Sequence, residues 1–325
     1  MSINQKTLGE AEAYKPMVKS GTKPSFFQKN KRQLELLIMA AIPLIVIIIF
    51  FYLPMFGVVI AFKNYQYAGI WKSPWVGFDN FKFLFTSQDA WRITRNTVGL
   101  NFGFIITTQA MGMFLAIVLN NVKNRSLIKV YQSSMFMPYV LSSSVVAYVA
   151  FAFFDVNYGF LNRIFELFGG TGVMWYSEPK YWPAILTIIN LWKSVGYSVI
   201  LFYASLIGID SSYYEAAMID GANKWQAMWN ITVPMLMPIA ITLFLLNVGK
   251  IFNADFGLFY MVPKDSGLLY PTTDVIDTYV YRALRQKGDM GIASATGLYQ
   301  SVVGFGLVMF SNWLVKKYDK DYGLF

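Results

Sequence analysis

An all-α integral membrane protein with six spanning helices is the fold class the sequence predicts. Of its 325 residues, 56% are hydrophobic, 18% aromatic and only 14% charged. A soluble chain carries about 25% charged residues, so this one could not cover a one- or two-domain enzyme with a wetted surface. Charges also divide the chain into six long apolar stretches, and a helix needs roughly 20 such residues to cross about 30 Å of hydrocarbon. Cysteine and histidine are both absent. Their absence excludes disulfide frameworks, Cys/His zinc sites, haem held by those residues and every Ser-His or Cys-His nucleophile pair. Neither catalytic nor metal-ligating residues are expected.

Residues 1–33 read as a polar tail whose Lys6, Lys15, Lys19, Lys23, Lys29, Lys31 and Arg32 place it in the cytoplasm. The stretch that follows is too long for a signal h-region. It forms the first span, about 36–62, with Pro43 and Pro54 to tilt or kink it. The second span is expected at about 97–119, between Arg95 and Lys123, and the third at 130–154, between Lys129 and Asp155. A fourth, 181–208, is interrupted only by Lys193, and a fifth, 231–249, is bent by Pro234 and Pro238. The sixth, 290–315, lies between Asp289 and Lys316. An even number of spans returns the C-terminus to the cytoplasm, where Lys316, Lys317 and Lys320 agree, as do Lys123, Arg125 and Lys129 in the second-to-third connection. The loop 250–289 falls outside despite five basic residues.

The net charge of +9 fits basic residues that flank spans and meet anionic membrane lipid. No clustered basic-aromatic module points to nucleic acid. Trp71, Trp75, Trp91, Trp175, Tyr176 and Trp182 fall near outer span ends and read as an aromatic belt. The segment Asn157 to Glu178 reads as an outer amphipathic helix plus a turn at Gly169-Gly170-Thr171-Gly172. That turn lacks the Lys-Ser/Thr that a phosphate loop needs.

Between the fourth and fifth spans, residues 211–230 carry the most information. Ser212 followed by Glu215 has the spacing of a capping box. Ala216, Ala217 and Met218 continue that helix, and Gly221 can end it in the left-handed conformation. Asn223 can cap a second helix that Ile231 leads into the fifth span. Two short helices joined at a glycine form a compact projection with a small-residue face.

The pattern Glu215-Ala216-Ala217, Gly221, Ile231 and Pro234 resembles the loop signature of ABC importer permeases, with Val233 where the family usually has Leu. Asp220-Gly221-Ala222 is the form typical of sugar permeases. Val76-Gly-Phe-Asp-Asn-Phe81 is similar to the outer segment of maltose-type permeases. Thr273-Asp-Val-Ile-Asp-Thr-Tyr-Val-Tyr-Arg282, the ending Asn312-Trp-Leu-Val-Lys-Lys and the terminal Tyr322-Gly-Leu-Phe resemble the LplB-like oligosaccharide and polysaccharide subgroup. The resemblance covers 34–325 as one permease domain and implies a type I, MetI-like fold. It implies that 211–230 docks on a separate ABC ATPase dimer, with Glu215 pairing with a basic residue, the two alanines permitting close approach and Gly221 setting the bend. It further implies a second permease subunit of different sequence, a solute-binding protein outside and an oligosaccharide or modified-sugar substrate, all at a bacterial cell membrane. This chain has no G-x-x-x-x-G-K-[ST] cradle. ATP and Mg would be used by the partner ATPase, and no cofactor is bound here.

Polar residues inside spans mark a substrate path. Thr187, Asn190, Ser194 and Tyr197 step by three and four along one helix face, with Lys193 beside them. Two roles fit Lys193: contact with sugar hydroxyls or a sugar carboxylate, or interior pairing with helix-end carbonyls or an acidic residue elsewhere in the complex. Asn247, Asn253 and Gln300 fit the path or interhelical hydrogen bonding equally. The alternative class, a stand-alone secondary transporter or channel, calls for coupling-ion carboxylates in spans or an inverted repeat. The six stretches hold no Asp or Glu, and no repeat is evident. A membrane enzyme acting on lipid would need an interfacial carboxylate or metal cluster, and none is visible.

Overall fold

The computed structural model describes residues 26–66 and 69–318. Lys6, Lys15, Lys19, Lys23, Lys320 and the terminal Tyr322-Gly-Leu-Phe lie outside the described residues. The chain divides into one unit ending at Phe56 and another beginning at Gly57.

In the first unit, α1 (Phe26–Ile47) begins inside the stretch read as tail. It passes into a π turn over Ile48–Tyr52, followed by a helical turn Leu53–Met55. Pro54 explains the change of winding. It has no N–H to offer the carbonyl four residues back, and its ring clashes there, so the helix widens just before it.

The second unit is helical, apart from an isolated bridge between Lys63 and Trp75 and its connecting turns. Its helices are α2 (Asp79–Thr86), α3 (Gln88–Asn120), α4 (Arg125–Val140), α5 (Ser143–Phe154), α6 (Phe160–Leu167), α7 (Trp182–Ile207) and α8 (Ser212–Ile219). They continue as α9 (Lys224–Val248, with a π turn at Met228–Thr232), α10 (Phe256–Met261), α11 (Tyr270–Thr273), α12 (Ile276–Lys287) and α13 (Met290–Tyr318). Five described helices are long and apolar enough to cross a membrane, and a bent pair makes up to six.

That bent pair corrects the continuous third span expected over 130–154. α4 and α5 meet at 99°. Pro138 disturbs the last turn of α4, Leu141 is extended, and Ser142 starts a new helix by accepting the Val145 N–H at 3.4 Å. Proline followed by a serine run ends one helix and caps the next, overriding the apolar composition.

α3, α4 and α7 pack most extensively, and small residues permit it. A Cβ on Gly196 would lie 1.9 Å from the Met135 carbonyl oxygen, and one on Gly112 2.6 Å from Ser198 Cβ. Apolar burial then fills three clusters, one of α3, α7 and α9 around Val199, Phe202 and Leu236, a second around Trp182, Leu186 and Phe259, and a third around Ile93, Phe252 and Ile276. Trp175 and Trp182 belong to the second cluster, so the aromatic belt is smaller than predicted. Trp182 is fully buried, and its Nε1 donates to the Trp175 carbonyl at 2.7 Å. Trp71, Trp75 and Trp91 are exposed.

The family-like segments have structural work. Asn80 Nδ2 donates to the Ala61 and Lys63 carbonyls, closing the loop before α2. Asp274 is buried and pairs with Arg282 and, at 3.3 Å, with Arg92 of α3. The predicted outer loop 250–289 is therefore largely helical and bonded to α3 by side chains.

Candidate functional site

Two features concentrate polar or projecting groups within the second unit. The first is the α8–α9 connection. The Ser212–Glu215 capping box is not formed. Instead Asp210 Oδ1 accepts the Ser212 N–H at 2.9 Å, an Asx turn that reaches the helix start first. Hydrogen bonds from the Ser212 backbone and side chain hold the Asp210 carboxyl below its ordinary range. Glu215 is left exposed, with its carboxylate free of any bond among the described residues.

At the other end α8 closes as expected. Gly221 has φ +81°, Ala222 N–H donates to the Ala217 carbonyl at 2.9 Å and Gly221 N–H to Met218 at 3.1 Å. This paired closure is the Schellman motif. Asn223 and Gln226 then form a reciprocal capping box at 2.8 and 2.9 Å. Glu215, Ala216, Asp220 and Pro234 are exposed, while Ala217 and Ile231 are half-buried. Around them stand the apolar Tyr213, Met218, Ile219, Trp225 and Trp229, all more than half exposed. Sequence reasoning used only Met218 of these five, as a helix residue, although apolar residues flanking a turn glycine in an otherwise polar loop were a usable sign. Tyr214 reaches back, its hydroxyl 3.0 Å from Thr232 Oγ1 in the π turn of α9.

The second feature is a cavity of about 390 Å3 between α3, α7 and the end of α9. α9 stops at Val248, and the carbonyls of Ile251 and Phe252 in the turn after it are taken up by side chains of other helices. Asn101 of α3 donates to the Ile251 carbonyl at 2.8 Å, and Gln300 of α13 to the Phe252 carbonyl at 2.7 Å. Those bonds hold the turn open beside α7. Of the residues read as a candidate path, Asn190, Tyr197, Asn247 and Asn253 line the cavity. Gln300 does not; it is buried behind the turn. Lys193 also stands apart from the lining, and its Nζ donates to Asp255 Oδ2 at 2.8 Å. The acidic residue it meets belongs to this chain rather than to another part of the complex.

Asn101, Thr108, Gln109, Tyr139 and Lys250 also line the cavity, and sequence reasoning missed them. Asn101, Thr108 and Gln109 share a face of α3 by their spacing of seven and eight, a stripe as legible as the one on α7. Asn190 Nδ2 donates to Thr108 Oγ1 at 3.3 Å, and Tyr139 stacks on Tyr197 with centroids 5.2 Å apart. Gln109 Nε2 is buried without a hydrogen-bond partner among the described residues. The lining thus offers amides, hydroxyls and an aromatic face, groups suited to a polyhydroxylated solute.

Residues 110–320 match the family described as binding-protein-dependent transport system inner membrane component. Protein LplB of Bacillus subtilis strain 168 is 34% identical over 311 residues, covering 95% of this chain and 97% of that one. A bacterial ABC transporter involved in the import of the acidic polysaccharide alginate contains a chain that superposes with a TM-score of 0.82 and 30% identity. That match covers 90% of this chain and 99% of the other. The same type of transporter, in complex with an alginate pentasaccharide-bound periplasmic protein, gives a TM-score of 0.81 at 29% identity, covering 91% and 98%.

Proposed function

Because the chain belongs to the binding-protein-dependent transport system inner membrane components, we propose that it is one permease of a sugar importer in a bacterial cell membrane, with both termini cytoplasmic. It supplies half of a pathway for oligosaccharides or modified sugars. A second permease supplies the other half, an ABC ATPase dimer consumes ATP and Mg, and a solute-binding protein delivers substrate from outside. The periplasmic protein bound to the alginate transporter supports that last partner.

The coupling surface comprises Glu215, Ala216, Ala217, Asp220 and Gly221, with Ile231 and Pro234 leading into α9 and the exposed apolar residues around them. The observation that carries the reading is the 3.0 Å contact between Tyr214 and Thr232. It ties the projecting helix to the base of α9, whose far end presents Asn247 to the cavity. A push on α8 therefore moves one wall of the polar cavity, the geometry an ATP-driven importer needs.

The test is uptake by the full complex in proteoliposomes, comparing Gly221→Asp and Gly221→Asn with the parent. A Cβ at Gly221 meets nothing within 4 Å, and Asp and Asn both tolerate a left-handed backbone. The added charge on the docking surface is thus the main change. Gly221→Asp is expected to lower uptake and substrate-stimulated ATPase together by about tenfold or more, within the range of coupling free energies, while Gly221→Asn loses far less. Uptake that persists without any ATPase would overturn the proposal in favour of secondary transport.

A further inference from the structure

The charges around the cavity point to a substrate property. Asp255 lines it, but both its carboxylate oxygens are occupied: Oδ2 by Lys193 at 2.8 Å and Oδ1 by the Leu258 N–H at 3.1 Å. Lys193 and Asp255 therefore cancel. Lys250 also lines the cavity, just past the end of α9, and is exposed. Among the described residues its ammonium takes part in no ion pair and no side-chain hydrogen bond. The wall thus carries one uncompensated positive charge, placed among Asn101, Asn247 and Asn253.

Resting on the sugar-importer reading above, we propose that this chain passes carboxylate-bearing oligosaccharides and that Lys250, not Lys193, is the residue that selects for the carboxylate. The neighbouring amides serve the hydroxyls. A charged donor to a carboxylate is shorter and stronger than a neutral one, and a saccharide anion leaving water needs such a partner more than a neutral sugar does. The negative end of the α9 dipole also favours a cation at this position, so the test must separate a substrate role from a helix-end role.

The experiment uses the complete importer in proteoliposomes, with trigalacturonate and an alginate trisaccharide as probes beside their carboxyl-reduced counterparts. The parent is expected to take up the acids in preference to the reduced sugars. In Lys250→Gln the ratio of acid to reduced-sugar uptake falls by about tenfold or more, the worth of a charge-assisted hydrogen bond. Lys250→Arg keeps that ratio within a few-fold. The double variant Lys193→Gln with Asp255→Asn also keeps it, because the pair removed is neutral overall. An equal fall for both sugar types in Lys250→Gln would make the lysine a helix-end support and overturn the inference. So would a parent that prefers the reduced sugars, or loss of the ratio in the double variant instead. If neither sugar class is transported, the sugar-importer reading fails as well, an outcome distinct from the other three.

Discussion

Lys193 and Asp255 show what a single residue reveals and conceals. The lysine stood out because a charge at mid-bilayer costs roughly 2.5–3.5 kcal/mol by insertion scales. Its partner lies 62 positions later, and no local pattern joins them. Replacing either alone strands the other, so Lys193→Met and Asp255→Asn should each lower stability by about 1–2 kcal/mol. The double variant should lose less than their sum, as residues in direct contact do. Thermal unfolding of the four purified proteins measures this, and simple additivity would deny the pair any energetic meaning. Asp277 offers a pH-dependent case. Burial raises its pKa above the ordinary carboxylate range, opposed by the Ala254 N–H and by Gln300. A raised value means its contribution is full below the unfolded value and is lost as pH rises through the folded one. Asp277→Asn keeps an oxygen for the Ala254 N–H and cannot ionise. Its unfolding temperature relative to the parent should therefore climb from about pH 4 to pH 7, and a flat or falling difference would contradict the assignment.

At the scale of elements, apolar length found the five long helices, yet proline and serine chemistry decided how the third stretch runs. The turn signals for the break, Pro138 and the following serines, were present in the sequence. Composition outweighed them because periodicity says nothing about direction. The same limit hid the Asx turn at Asp210, where two carboxylates competed for one helix start and spacing alone favoured the wrong one. Helix contacts were less legible still, since only three dimensions show which glycines are crowded. Gly196→Ala should cost about 3 kcal/mol or more, because its methyl would fall 1.9 Å from the backbone oxygen of Met135. Gly99→Ala, with nothing within 4 Å, should be neutral or gain up to about 1 kcal/mol from helix propensity. Detergent-melt midpoints compare the two, and equal losses would mean that α4 and α7 do not meet as closely as described.

For the whole molecule, the absence of cysteine makes single-cysteine labelling clean. The proposed topology, with both termini cytoplasmic, expects Tyr213→Cys to react with an impermeant maleimide only in inverted vesicles, and Leu167→Cys only in intact cells. The reverse pattern would invert the topology drawn from the basic residues. The cavity was half legible: Asn190, Tyr197, Asn247 and Asn253 line it, the stripe on α3 was readable from its spacing but passed over, and Lys250 emerged only when separate segments met. The segment between α9 and α13 carries one more consequence. Its backbone N–H groups at Ala254, Val275 and Ile276 are donated to Asp277, Thr278 and Thr97. Such amides trade hydrogen for deuterium only when their side-chain acceptors let go. In heavy water this stretch, by sequence a loop, should keep its protons about as long as the spans on either side of it.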